Sequence, residues 1–192
     1  GTVSNDPSDP KNVIYVVKQT DSDFGQSWQD WINAVSLGAD FYDGNNDGIY
    51  NPADLNGNNI WDTSEDKPSI IGDEMTWCVY NDEVPANQRN FTTVTPKGIE
   101  IQQTVAAYAS TQVPLGNAIF IRYRLINTGT VVSQLDSVVF AMYADPDLGD
   151  ASDDLIGCDT LLNSGFIYNN GSDYEYGSNP PAFFMKYLQG PI

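Results

Sequence analysis

Ala118-Ile119-Phe120-Ile121-Arg122-Tyr123-Arg124-Leu125-Ile126-Asn127 sets Ile119, Ile121, Tyr123 and Leu125 against Phe120, Arg122, Arg124 and Ile126. This is the period of two that sends alternate side chains to opposite faces of a strand. Arg122 and Arg124 then share one face, where they are expected to pair with nearby acids. Asn127-Thr128-Gly129-Thr130 follows as a turn, and Ser137 to Tyr143 is expected to return as the partner strand. Working outward, Ile99 to Ala109, Met75 to Tyr80 and Val13 to Lys18 read as strands on one side. Leu161 to Tyr168 and Phe183 to Leu188 do so on the other, around a Gly/Ser/Asn/Pro-rich connector at 169–181. One short amphipathic helix interrupts them, with Ser27 as N-cap, Asp30 three residues on, Trp28, Trp31, Ile32 and Val35 on one face, and Gly38 as stop. Residues 1–10 are polar and proline-marked, so an extended lead-in and candidate strand donor is expected there, and 81–97 reads as loop. Many strands, one helix and long loops predict a mainly β chain. The expected architecture is an antiparallel β-sandwich, jelly-roll or immunoglobulin-like, as a single domain over 1–192.

The largest gap between expected strands holds Asp43-Gly44-Asn45-Asn46-Asp47-Gly48-Ile49-Tyr50-Asn51-Pro52-Ala53-Asp54, continued as Leu55-Asn56-Gly57-Asn58-Asn59-Ile60-Trp61-Asp62-Thr63-Ser64-Glu65-Asp66. A calcium loop needs side-chain oxygens at positions 1, 3, 5, 9 and 12, a carbonyl at 7, and a residue tolerant of left-handed geometry at 6. Counted from Asp43, these places hold Asp43, Asn45, Asp47, Asn51, Asp54, the Ile49 carbonyl and Gly48. Counted from Asp54, they hold Asp54, Asn56, Asn58, Asp62, Glu65 and the Ile60 carbonyl, with Asn59 in place of glycine. The spacing predicts two calcium loops sharing Asp54. A second acidic loop, with Asp145, Asp147, Asp150 and Asp153, followed by Asp154 and Asp159, is a further candidate for a cation, with solvated turns as the alternative.

The net charge of the 192 residues is −18, from 26 acidic and 8 basic side chains, which argues against nucleic acid or an anionic membrane as partner. Two calcium ions would bring −18 to −14. No window approaches the ~20 apolar residues of a membrane-spanning helix, and no signal peptide opens the chain, so the start is expected to be a mature terminus. Weak calcium loops fill where free calcium is near millimolar, which places the chain outside the cell or on its surface. Cys78 and Cys158 could bridge or remain two buried thiols.

Enzymatic chemistry finds little to stand on. With no histidine, the Ser-His-Asp triad and His-based zinc sites are excluded. Asp73, Glu74 and Glu100 are the candidates for a glycosidase carboxylate pair, and Trp28, Trp31, Trp61 and Trp77 for a sugar-stacking platform.

Asp43 to Leu55, as Asp-x-Asn-x-Asp-Gly-x-x-Asn-x-x-Asp-Leu, resembles the calcium loop of dockerins, and the overlapping pair resembles thrombospondin calcium repeats. The chain departs from dockerins at Asn56-Gly57-Asn58-Asn59, which forbids a helix directly after Asp54. A broader resemblance rests on Gly38-Ala39-Asp40-Phe41-Tyr42-Asp43, Trp77-Cys78-Val79-Tyr80-Asn81-Asp82, Asp145-Pro146-Asp147-Leu148-Gly149-Asp150, Gly157-Cys158-Asp159-Thr160 and Gln189-Gly190-Pro191. These sets look like those of large secreted bacterial surface proteins that commonly end in a type IX secretion sorting domain. That domain is lacking here, so one processed piece or one module is expected. The resemblance implies export and no activity. The expected function is a calcium-stabilised structural or adhesive module of a surface protein or filament, binding calcium and like subunits or other surface proteins. A calcium-dependent carbohydrate-binding module recognising polysaccharide is the alternative, and a carboxylate-based glycoside hydrolase a more distant one.

Overall fold

The computed structural model describes residues 6–88, 93–112 and 115–190, and consists mainly of strands in antiparallel sheets with one short helix. Its contacts fall into two compact units, 1–137 and 138–192, a division that the single domain expected from the sequence does not draw.

In the first unit the chain runs through β1 (Tyr15–Lys18), α1 (Gln26–Ser36), β2 (Phe41–Tyr42), β3 (Lys67–Pro68), β4 (Glu74–Asn81), β5 (Ile99–Ala107) and β6 (Ile119–Asn127). Four strands form an antiparallel sheet in the order β1-β4-β5-β6, with Tyr15 opposite Trp77, Trp77 opposite Thr104, and Thr104 opposite Arg122. Because side chains alternate along each strand, these residues share one face, and α1 lies against it. Tyr15, Val17, Trp31, Ala34, Met75 and Trp77 form the buried cluster where helix meets sheet. Tyr15 meets the Trp31 ring edge-on at 6.4 Å, and the Trp31 indole N–H donates to the Asp40 carbonyl at 3.1 Å. Burying an aromatic side chain of this size contributes roughly 1.5–3 kcal/mol, so this cluster fixes the helix on the sheet.

The helix ends as its sequence indicates. Gly38 takes a φ of +107°, and a Cβ there would stand 2.3 Å from the side-chain nitrogen of Gln102, a buried strand residue that donates to the Leu37 carbonyl. Its start differs from expectation: Gly25, not Ser27, occupies the N-cap, with no side-chain cap. The buried face is Trp28, Trp31 and Ala34, while Ile32 is 42% exposed. The lead-in is not extended throughout, since Pro10–Asn12 closes a 3₁₀ turn capped by the Asp9 carboxylate; residues 1–5 lie outside the described chain.

The expected partner strand at 137–143 does not form. Ser137 has a φ of +56°, which breaks an extended run at its first residue, and β6 is left as the outer strand of the sheet. In the second unit β7 (Asp154–Asp159), β8 (Ser164–Asn169) and β9 (Ala182–Lys186) make an antiparallel sheet in that order. The strand read at Leu161 to Tyr168 begins only at Ser164, after a turn in which Asn163 has a φ of +50°.

Candidate metal site

Residues 43–66 form one excursion from the first unit, closed at its neck by β2 against β3, with Phe41 opposite Pro68 and Tyr42 opposite Lys67. Inside it the two loops read from the sequence have one hydrogen-bond scheme, used twice. The first-position carboxylate accepts from the N–H groups at positions 5 and 6. These are Asp47 and Gly48 onto Asp43 at 3.2 and 2.8 Å, then Asn58 and Asn59 onto Asp54 at 3.3 and 2.7 Å. The third-position oxygen also accepts from position 5, Asp47 onto Asn45 and Asn58 onto Asn56, each at 3.0 Å. The fifth accepts from position 7, Ile49 onto Asp47 and Ile60 onto Asn58, each at 2.7 Å.

The backbone repeats too. Positions 4 and 6 both carry positive φ: Asn46 at +59° and Gly48 at +76° in the first loop, Gly57 at +77° and Asn59 at +59° in the second. Glycine and asparagine exchange places between the loops, and these two residue types enter the left-handed region at least cost. Position 4 is absent from the sequence criterion, although Asn46 and Gly57 were the signal for it.

Two neighbouring carboxylates complete the excursion. Glu65 accepts from Leu55 N–H at 2.7 Å and Asp62 N–H at 2.9 Å; Asp66 accepts from Gly44 N–H at 2.9 Å and Asn51 N–H at 2.8 Å. Both are 2% exposed. Asp66 is the residue the sequence reading missed. Asp54, read as shared, has its carboxylate turned onto the second loop, where the N–H of Asn59 foremost, with Gly57 and Asn58, holds the carboxyl below its usual value. Asp62 accepts from the side-chain amides of Asn56 and Asn58 at 2.6 and 3.1 Å. Ile49 and Ile60, nominated for their carbonyls, are exposed.

The excursion is anchored to the core by aromatic residues. Tyr50 is buried against Phe41 and donates its hydroxyl to the Trp28 carbonyl at 3.1 Å; burial first, and the nearby Asp66 charge second, push its phenol far above the ordinary value. Gln29 on α1 donates to the Pro52 carbonyl at 2.9 Å. Trp61 donates its indole N–H to the Glu65 carbonyl at 2.9 Å and takes the Lys67 ammonium over its ring at 3.6 Å.

The donor set is oxygen throughout, carboxylate, side-chain amide and backbone carbonyl, which suits a hard cation such as calcium. Among the described residues no three His, Cys, Asp or Glu side chains converge as a ready-made metal group, and the loop carboxylates face backbone N–H groups.

Elsewhere the sequence candidates disperse. Asp145, Asp147, Asp150 and Asp153 are exposed; the buried Asp173 of the same unit accepts from the N–H groups of Asp150, Glu175 and Tyr176, and Asp154 accepts from Leu148 N–H. The Asp173 carboxyl is held low by these bonds, that from Asp150 foremost. Glu74 lies opposite Ala107 and Glu100 opposite Asn81. Seven residues of strand separate them, roughly 24 Å, too far for a glycosidase carboxylate pair. Trp28, Trp31 and Trp77 are buried and Trp61 half-buried, so the four tryptophans do not make a stacking platform. Arg122 does find an acid, Asp40, at 2.7 Å. Cys78 and Cys158 are free thiols, and burial raises that of Cys78. No family model, curated protein or solved structure matches the chain. No helix among the described residues is long and apolar enough to cross a membrane.

Proposed function

We propose that the chain is a calcium-stabilised extracellular module, a structural or adhesive part of a bacterial surface protein or filament. One observation carries the calcium reading: two successive loops repeat the same carboxylate and amide bonds and the same pair of left-handed positions, in a chain of net charge −18. Beside the N–H groups they accept from, the loop carboxylates keep lone pairs that a cation can use, and bound ions offset the crowding of carboxylates. The surface location follows from the calcium supply that weak loops need. The sandwich architecture belongs to the same proposal: Ile119, Ile121 and Leu125 stand exposed on the sheet face opposite α1, an apolar face of the kind a second sheet covers.

Ion binding to the folded state alone adds roughly 2.7 kcal/mol per site at a hundredfold excess over Kd. Thermal unfolding of the whole chain in millimolar calcium should therefore show a higher midpoint than in chelator. An identical midpoint, with no ion found by metal analysis of the chelated sample, would remove the calcium reading.

A further inference from the structure

We infer that the open strand edges of the first unit join copies of this chain head to tail, β6 of one copy adding antiparallel to β1 of the next. The inference rests on the structural, filament-forming part of the reading above and is independent of its calcium part.

The four-stranded sheet ends in β1 on one side and β6 on the other, and among the described strands each is bonded to a single neighbour. Edges of this kind are templates for a further strand. Because all three pairings are antiparallel, β1 and β6 run in opposite directions. A β6 laid beside the next copy's β1 therefore keeps the antiparallel order and the same face up. Hydrogen-bond phase agrees with this. Gln19 N–H donates to the Asp73 carbonyl and Thr128 N–H to the Gly98 carbonyl, both at 2.9 Å. Counted back by twos, the odd residues of β1 and the even residues of β6 bond inside the sheet, which turns the main-chain groups of Val16 and Leu125 outward. Past Val16 the β1 edge closes, since the N–H of Lys18 goes to the Asp21 carboxylate and its carbonyl accepts from Asp21 N–H.

Setting Arg124 opposite Tyr15 matches the two edges on both faces. On the face away from α1, Leu125 falls opposite Ile14 and Tyr123 opposite Val16, and Ile14, Val16 and Leu125 are all exposed in the single copy. Apolar side chains opposite one another across a strand pair stabilise it. On the α1 face, Arg124 meets a groove of about 480 Å³ between β1 and α1, lined in part by Tyr15, Ser27, Asp30 and Asn33. Arg124 is exposed and has no ion pair among the described residues, where the pairs are Lys18 with Glu74 and Arg122 with Asp40. Asp30 is exposed and accepts from the Gln26 side chain at 2.8 Å. A basic edge thus faces an acidic groove, and that complementarity fixes the register. Two β6 edges suit each other less well, because full overlap about Tyr123 puts Arg122 opposite Arg124, and like charges in that position repel. Head-to-tail addition avoids this and does not close on itself, so it builds an open chain of copies.

The test is sedimentation of the whole chain over a wide range of concentration at physiological salt, where charges more than ~8 Å apart are largely screened. Wild type is expected to grow beyond a dimer. Val16→Pro blocks the β1 edge and Leu125→Pro the β6 edge, each at a residue whose N–H points out of the sheet, so the internal ladder is kept. Each should stay monomeric alone, and an equal mixture should form a dimer and stop there, since one β1 edge and one β6 edge remain open between them. Asp30→Arg and Arg124→Glu, both at exposed positions, keep the inference testable if a proline variant fails to fold. Either should weaken assembly about tenfold, and the chain carrying both should regain it. Wild type staying monomeric would overturn the inference, and an unfolding midpoint raised by calcium in that same sample would leave the calcium module standing. Assembly indifferent to all four substitutions would overturn the β6 to β1 pairing and leave a filament built on other surfaces. Val16→Pro forming dimers on its own would overturn it in favour of β6 against β6.

Discussion

In residues 43–66 two acidic side chains are buried at the closure and each answers two backbone N–H groups at the same interval, whereas in 145–154 the four nominated aspartates stay at the surface. There the buried Asp173, from another turn, accepts from Asp150 N–H, and Asp154 accepts from Leu148 N–H. Both stretches are crowded with acid. What separates them is spacing: oxygens set evenly at positions 1, 3 and 5 accept N–H groups of their own loop in one repeated scheme, while the irregularly spaced ones are bonded one by one. Asp150 accepts from Ser152 N–H, and beyond that stretch Asp159 accepts from Leu161 and Leu162 N–H.

The comparison is broken most severely at Gly44. Gly44→Ala places a Cβ against the Glu65 backbone, which cannot yield as a flexible side chain would. A loss of about 2–4 kcal/mol is expected, at the upper end of single-residue effects. Chemical denaturation checks it: a change within about 0.5 kcal/mol would mean that the closure is looser than described. The matching change in the other loop is milder. Gly149→Ala sets a Cβ 2.4 Å from the Asp173 carboxylate and strains a φ of +72°, for about 1–2 kcal/mol, with exchange of the Asp150 and Tyr176 amides quickened and that of Gly48 and Asn59 unchanged. Quickening in all four would show that the two turn systems are not independent.

Acid sharpens the comparison with the least effect. Asp54 and Asp173 both have depressed folded-state values, so their contribution is fully present above the ordinary carboxylate value, near ~4, and is lost as pH falls through the depressed values. In chelator, amide exchange corrected for its intrinsic pH dependence should leave Asn59 and Tyr176 equally protected at pH 7 and pH 5, with loss only below about pH 4. Loss of either between pH 7 and pH 5 would contradict the depressed values.

The sequence made the strands of the first unit legible, because alternation over β4, β5 and β6 is long enough to set their period. It made the helix stop legible through Gly38, whose missing side chain admits Gln102. It misplaced what depends on a single dihedral or a distant partner. Val138 to Tyr143 has the composition of a strand, and the positive φ at Ser137 is not written in that composition. Asp154–Asp159 was obscured by the acids at its ends. Asp66 was missed because loop counting follows the chain, while closure follows space: its carboxylate reaches back 22 residues to Gly44 and 15 to Asn51.

Those separations have a consequence for the order in which the excursion acquires its shape. The bonds that repeat between the loops join residues two to five apart, so each forms at small entropic cost and early in a folding search. The bonds to Asp66 must enclose most of the excursion, and pay for that enclosure only when β2 has found β3. Nascent chain can thus shape both loops while its neck is still open. The two carboxylates beside the neck then arrive together, as the last pieces of a circle whose arc was already bent.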